Sequence, residues 1–223
     1  MDPGPLNLIL FGLLILAGFM IYDRFLSKEA HIKRKIKHAD GKRIADFKDG
    51  ETARLVGEVQ YLGKTLRAPL SGRKCVYYYV KVEEKSGGRN STWSDLIEES
   101  KAADVILKDG NHYAYVKTHL VKSHLISDAN YTSGFLDDAT PELEKFLSRH
   151  SEKSEGFLGF NRTLRYEEGI LEEGELVAVL GMGKWKSAKV HNFKVPAQKI
   201  LVLGPEDEQG LYFTDDPEVA ELS

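Results

Sequence analysis

The chain has 223 residues, 29% of them charged, and a formal net charge of −3 at pH 7. That size holds one membrane helix and one domain whose core needs no disulfide or metal staples. The charge balance excludes a strongly basic nucleic-acid binder. The single cysteine, Cys75, excludes an intramolecular disulfide and a cysteine-based zinc site, and it fits a reducing compartment.

Near the N-terminus an apolar run, LNLILFGLLILAGFMIY, extends from Leu6 to Tyr22, with Asn7 as its one strongly polar side chain. Its large apolar residues are Leu6, Leu8, Ile9, Leu10, Phe11, Leu13, Leu14, Ile15, Leu16, Phe19, Met20 and Ile21, and Tyr22 lies where an interfacial aromatic belongs. As a helix the run spans about 25 Å, against roughly 30 Å of bilayer hydrocarbon, and Phe25 and Leu26 lengthen it. A cleaved signal peptide needs a basic leading region and a small-residue cleavage site. Residues 1–5 carry no base, and no A-x-A pattern follows. A buried core helix would carry a polar face. The run therefore predicts a single transmembrane anchor over residues 1–26, touching the lipid bilayer through residues 6–26.

Residues 27–50 form a basic juxtamembrane helix or linker. Arg24, Lys28, Lys33, Arg34, Lys35, Lys37, Lys42 and Arg43 outweigh Asp23, Glu29 and Asp40. Lys and Arg beside a membrane helix stay on the cytoplasmic side, so the following domain is expected to face the cytoplasm. The same residues also fit a solvated helix face or contact with anionic headgroups. Ile32 and Ile36 stand four apart, with Phe25 one heptad before Ile32. That spacing predicts a helix continuing past the membrane with a thin apolar stripe.

After the turn signal Lys48-Asp49-Gly50 the pattern becomes β-like. Ala53–Leu62 alternates in part, with Leu55, Val59 and Tyr61 as candidate inward positions. Cys75–Val82 (CVYYYVKV), bounded by Ser71-Gly72 and Ser86-Gly87-Gly88, is the strongest strand signal. Ala103–Leu107 and His112–Val116 flank a hairpin signal centred on Asp109-Gly110. Leu120–Leu125 reads as strand or loop. Thr140-Pro141 is a helix start, followed by Glu142 and Glu144, and Pro141–Arg149 is predicted helical with Leu143, Phe146 and Leu147 on one face. Leu164–Glu168, Leu176–Leu180, Ile200–Leu203 and Leu211–Phe213 read as further strands. Residues 215–223 form an acidic tail expected to fray. The expected fold is mainly β: a small barrel or rolled sheet of about eight strands over residues 51–214, with one short inserted helix, preceded by a single N-terminal transmembrane helix.

Chemical motifs are sparse. Ser71-Gly-Arg-Lys74 has S-x-x-K spacing, but it includes glycine, precedes a strand and lacks the accompanying elements of a serine hydrolase. His112, His119 and His124 are the densest of seven histidines and match no zinc-binding spacing. Cys75, inside its β-run, is expected to be a core residue. Gly181-Met-Gly183-Lys184 lacks the first glycine and the Ser/Thr of a phosphate loop. Asn90, Asn130 and Asn161 head glycosylation sequons that matter only in a secretory lumen. No catalytic residue, cofactor or metal is expected.

The ordered set RLVGEVQYLGKTLRAPLSGRKCVYYYVKVEE and GFLGFNRTLRYEEGILEEGELVAVLG resembles the GIDE domain, also described as a "beside a membrane" domain. The domain occurs in mitochondrial ubiquitin ligases called mulan and in shorter prokaryotic relatives. The telling positions are Gly57, Leu66, Ala68-Pro69-Leu70 and Gly72, then Arg165, Glu168, Leu171, Gly174 and Gly181. Family ligases carry two membrane helices around this domain and a C-terminal RING that holds two zinc ions. Here no second apolar segment follows Tyr22 and there is one cysteine, so the ligase chemistry transfers to no residue. The resemblance implies an accessory domain that contacts a protein partner. It also implies the side of the membrane opposite to the one the basic flank indicates. The flank belongs to this sequence, and the cytoplasmic side is the expectation retained. The expected function is a membrane-anchored binding or scaffold module, without nucleic acid or metal. The second expectation is an accessory subunit of a ubiquitin-like ligation pathway whose catalytic part is on another chain.

Overall fold

The computed structural model describes residues 28–86, 91–133, 139–155, 161–189, 193–205 and 210–221. The predicted anchor, Leu6 to Tyr22, lies outside them. Among the described residues no helix is long and apolar enough to cross a membrane.

Five strands close a barrel. β1 (Glu51–Gln60) pairs antiparallel with β6 (Val105–Asp109), and β6 pairs antiparallel with β7 (His112–Val116). β7 lies parallel to β12 (Lys199–Gly204), which pairs antiparallel with β11 (Leu176–Ser187). β11 returns to β1 in the register Ala53↔Gly181 and Gly57↔Val177, so this ring has no free edge. Alternation sends Leu55, Val59, Leu107, Val116, Val177, Val179, Leu201 and Leu203 into the core, all nearly inaccessible to solvent. Tyr61, the third predicted inward position, packs on this core while part-exposed.

The first half of β11 also carries β13 (Leu211–Thr214), alongside which β8 (Val121–His124) runs parallel. A second sheet has the order β5 (Trp93–Ala102), β4 (Tyr77–Lys85), β10 (Leu164–Leu171), β9 (Ala129–Ser133), all antiparallel. A two-residue pair, β2 (Leu66–Arg67) with β3 (Lys74–Cys75), makes a small hairpin. At one end of β4, Tyr77 joins the barrel core edge-on to Phe213, with ring centroids 4.8 Å apart.

Three helices cover the strands. α1 (Lys28–Lys37) buries Ile32 and Ile36 against Ala178 and Tyr212, the predicted apolar stripe. α2 (Pro141–Arg149) begins as predicted: the Thr140 hydroxyl accepts the Leu143 N–H at 3.2 Å and Pro141 follows. Its Leu143, Phe146 and Leu147 pack on Val80, Val82, Ile97, Leu164 and Tyr166 of the second sheet. α3 (Pro217–Ala220) replaces the expected frayed tail. The Asp216 carboxylate caps it and reaches Lys33 of α1 at 2.6 Å, while Val219 and Ala220 are buried. Asp216-Pro217-Glu218 is a start signal of the same kind as Thr140-Pro141-Glu142.

The expectation of about eight strands is corrected to thirteen among the described residues, and α3 is added to the inserted helix and the juxtamembrane helix or linker that were expected. β5 escaped the sequence reading because it is an edge strand in which Ile97 alone is fully buried, so it carries little apolar signal. The predicted Cys75–Val82 strand breaks at Val76, which leaves the β3 pairing to bond Leu171, and resumes through Lys85. The β6–β7 turn is Gly110-Asn111, not Asp109-Gly110, since Asp109 pairs with His112. Gly110, at φ +58°, supplies the positive dihedral.

Candidate functional site

The family-like positions fall into three places. Gly57 and Gly181 stand on the paired strands β1 and β11. A Cβ on Gly57 would come within 2.9 Å of Leu107 Cβ, and one on Gly181 within 2.9 Å of the Gly204 carbonyl oxygen. Both glycines therefore serve barrel closure. Gly174, at φ +91°, turns β10 into β11 and donates its N–H to Val59.

Leu66, Pro69, Gly72 and Glu168 converge on the β2–β3 hairpin. Leu66 packs on the second sheet's core, Pro69 enters the turn, and Gly72 closes it at φ +69°. Glu168 projects from β10 with 1% exposure and accepts the Leu70 and Ser71 N–H groups at 2.8 and 2.9 Å. One buried carboxylate thus pins a loop nearly a hundred residues earlier in the chain. Beside it Arg73 bridges Glu172 and Asp128, and the Asp128 carboxylate also accepts the Ile170 N–H at 2.9 Å. The hairpin and the strap that leads into β9 are fixed to β10 by charge-assisted hydrogen bonds.

Cys75 sits inside this construction, fully buried as expected. Burial first, and then the neighbouring Glu168 and Glu172 carboxylates, push its thiol up to about 11. Such a thiol is the reverse of an activated nucleophile. Ser71 and Lys74 are both exposed and lie on a loop and a strand, not on one helix face. Gly181 to Lys184 runs inside β11 and is no loop. His112 and His124 lie on β7 and β8, and His119 on the turn between them. Burial lowers the pKa of His124. Among the described residues no three His, Cys, Asp or Glu side chains are grouped to hold a metal ion.

Leu171 is buried in the barrel core, and Arg165 leads to a different surface. The four-stranded sheet is covered by α2 on one face. On its other face Tyr77 and Tyr79 meet the barrel, but beyond them β4 presents Lys81 and Glu83. There a cleft of 460 Å³ opens, lined by Lys81, Glu83, Asn130, Tyr131, Thr132, Arg165, Tyr166 and Glu167. Cross-strand register brings these groups together: Glu83 faces Arg165, which faces Thr132, and Lys81 faces Glu167, which faces Asn130. Arg165 donates to Glu83 at 2.8 Å and lies over the Trp93 ring at 4.5 Å. The pairing holds the Glu83 carboxyl below its ordinary range. Lys81 pairs with Glu83 at 3.3 Å and Asp95 at 2.9 Å rather than with Glu167. Glu167 is thereby left half-buried without an ion pair among the described residues, and burial raises its pKa.

Of this cleft the sequence reading named Arg165 as a family-like position and Asn130 only as the head of a sequon. The signal for the rest was present in YYYVKVEEK, where Lys81 and Glu83 alternate with Val80 and Val82. That alternation marks a sheet with one buried and one polar face. Comparison with protein-family models, curated proteins and solved structures finds no match to this chain.

Proposed function

We propose that this protein is a membrane-anchored binding module: a GIDE-like β domain held at a bilayer by residues 6–26, presenting a polar cleft to a protein partner. The observation that carries the reading is the docking of α1 on the domain, a short distance in sequence after the apolar run. The apolar run ends at Tyr22, and six residues later α1 begins with Ile32 and Ile36 buried against the barrel strands. Lys33 adds ion pairs to Asp216 and Glu218 at 2.6 and 2.8 Å. A helix docked on the domain so few residues after the apolar run keeps the domain within a short chain length of the anchor, which suits presentation of a surface beside the membrane. Among the described residues the one thiol is buried with a raised pKa, Arg73 pairs with Glu172 and Arg165 with Glu83.

The test is flotation with phosphatidylcholine vesicles after an alkaline wash. The full chain is expected to float, and a chain beginning at Lys28 is expected to stay at the bottom of the gradient. Equal behaviour of the two would remove the anchor from the proposal.

A further inference from the structure

We infer that the partner binds as an extended segment added to the outer edge of β9, with basic side chains reaching across that strand to Glu167. This rests on the reading of the protein as a binding module and names the class of its ligand. Three observations carry it.

The first is the edge itself. β9 pairs with β10 on one side and, among the described residues, with nothing on the other. Asn130, Tyr131 and Thr132 are exposed. Proteins blunt such edges with charge or proline. The strand at the opposite edge, β5, follows that rule with Asp95, Glu98, Glu99 and Lys101, whereas Ala129–Ser133 has neither charge nor proline. An uncharged, exposed edge is a template for main-chain pairing.

The second is Glu167, one strand inward on the cleft face and in register with Asn130. Its cross-strand neighbour Lys81 is held by Glu83 and Asp95, so among the described residues the carboxylate has no ion-pair partner. An added strand lies about 10 Å from β10, two strand spacings away. A lysine or arginine side chain of about 6–7 Å and a glutamate of about 4 Å close that gap.

The third is on the opposite face. Tyr131 is 49% exposed and stacks on Tyr166 with centroids 5.4 Å apart. It offers an apolar shelf to the residues of the added segment that alternate with the basic ones. The ligand is thus an extended segment with basic and apolar residues in strict alternation.

The test uses the full chain in detergent micelles, which does not depend on the anchor and so separates this inference from the flotation result. The probe is a capped octapeptide of alternating lysine and valine, titrated by calorimetry. Binding is expected, and Glu167→Gln, which keeps size and shape, is expected to weaken it about tenfold or more. Glu98→Gln removes the same charge from exposed β5 and is expected to change binding by less than about twofold. Two backbone-methylated peptides complete the set, one methylated at every lysine amide and one at every valine amide. Only the series whose methyl groups point at β9 is expected to lose binding, since amides alternate in direction along a strand. No binding of the parent peptide at about 1 mM, equal weakening by the two glutamine variants, or binding by both methylated series would each overturn the inference.

Discussion

Glu168 carries more of this structure than its surroundings announce. Its two oxygens satisfy two backbone N–H groups of the Pro69–Gly72 turn, and no other described side chain accepts from either. Glu168→Gln keeps one acceptor and turns the other into a donor facing a donor. The expected cost is about 2–4 kcal/mol, from the lost charge-assisted bond and an unsatisfied N–H. Chemical denaturation of the full chain in detergent measures it, and an unchanged midpoint would show that the hairpin stands without the carboxylate. Asp215 presents the opposite electrostatic case. It accepts the Ile126 N–H at 2.8 Å, but burial, with Glu175 and Asp128 nearby, raises its pKa from 3.8 to about 7. The folded state therefore binds this proton more tightly than the unfolded state. Stability contributed by this group is full below pH 4 and is lost as pH rises towards about 7. Asp215→Asn keeps an acceptor for Ile126 and has no charge to lose. The variant is expected to be more stable than the parent at pH 8, by on the order of 2 kcal/mol after allowance for partial exposure, and indistinguishable at pH 4. Unfolding midpoints at the two pH values test this. A variant less stable at pH 8 would contradict it.

Among the elements, α1 does two jobs with one short sequence. KEAHIKRKIK places isoleucines four apart, one turn of helix, and basic residues around the rest of the circumference. The isoleucines dock on β11 and β13, and Lys33 reaches the α3 cap. Ile36 is fully buried, so Ile36→Ala removes its contacts and leaves a cavity, at an expected cost of about 2–4 kcal/mol. Backbone amide exchange across residues 28–37 should accelerate in that variant while the barrel strands stay protected. Unchanged exchange would mean that α1 is held by something other than this stripe. β11 is the corresponding hinge among the strands. Twelve residues long, it pairs with β1 along its first half, with β13 on the other side there, and with β12 along its second half. One strand thereby closes the barrel and carries the extension on which α1 rests.

At the scale of the whole molecule the question is orientation. The segment from Lys28 to Lys37 holds Lys28, Lys33, Arg34, Lys35 and Lys37 against Glu29, a charge of +4 in a chain whose net charge is −3. If residues 6–26 anchor the chain as proposed, a basic flank of this kind predicts that the domain faces the cytoplasm. Cys75 is buried, so a cysteine placed at exposed Asn111 becomes the reactive thiol of the described domain. With an impermeant thiol reagent on intact cells, Asn111→Cys is expected to stay unlabelled and Asp2→Cys to label. The reverse pattern would place the domain on the far side, as the resemblance to the GIDE domain implies.

The sequence by itself determined what depends on near neighbours. The mainly β character, the α2 start at Thr140, the Ile32–Ile36 stripe and the burial of Leu55, Val59 and Cys75 all follow from periodicity or capping within a few residues. Asp216-Pro217 is legible in the same way, within the acidic segment expected to fray. Only the tertiary structure decided the rest. β5 and β9 are edge strands whose polar composition hides their pairing, and β7 meets β12 in parallel from 85 or more residues away. Barrel closure matches Ala53 to Gly181, and the cleft assembles Lys81, Asn130 and Glu167 from three strands. Local patterning specifies which face of a strand is buried. Which strands become neighbours depends on the summed burial and register of all of them, and so does the pairing of Lys81 with Glu83 and Asp95 rather than with Glu167.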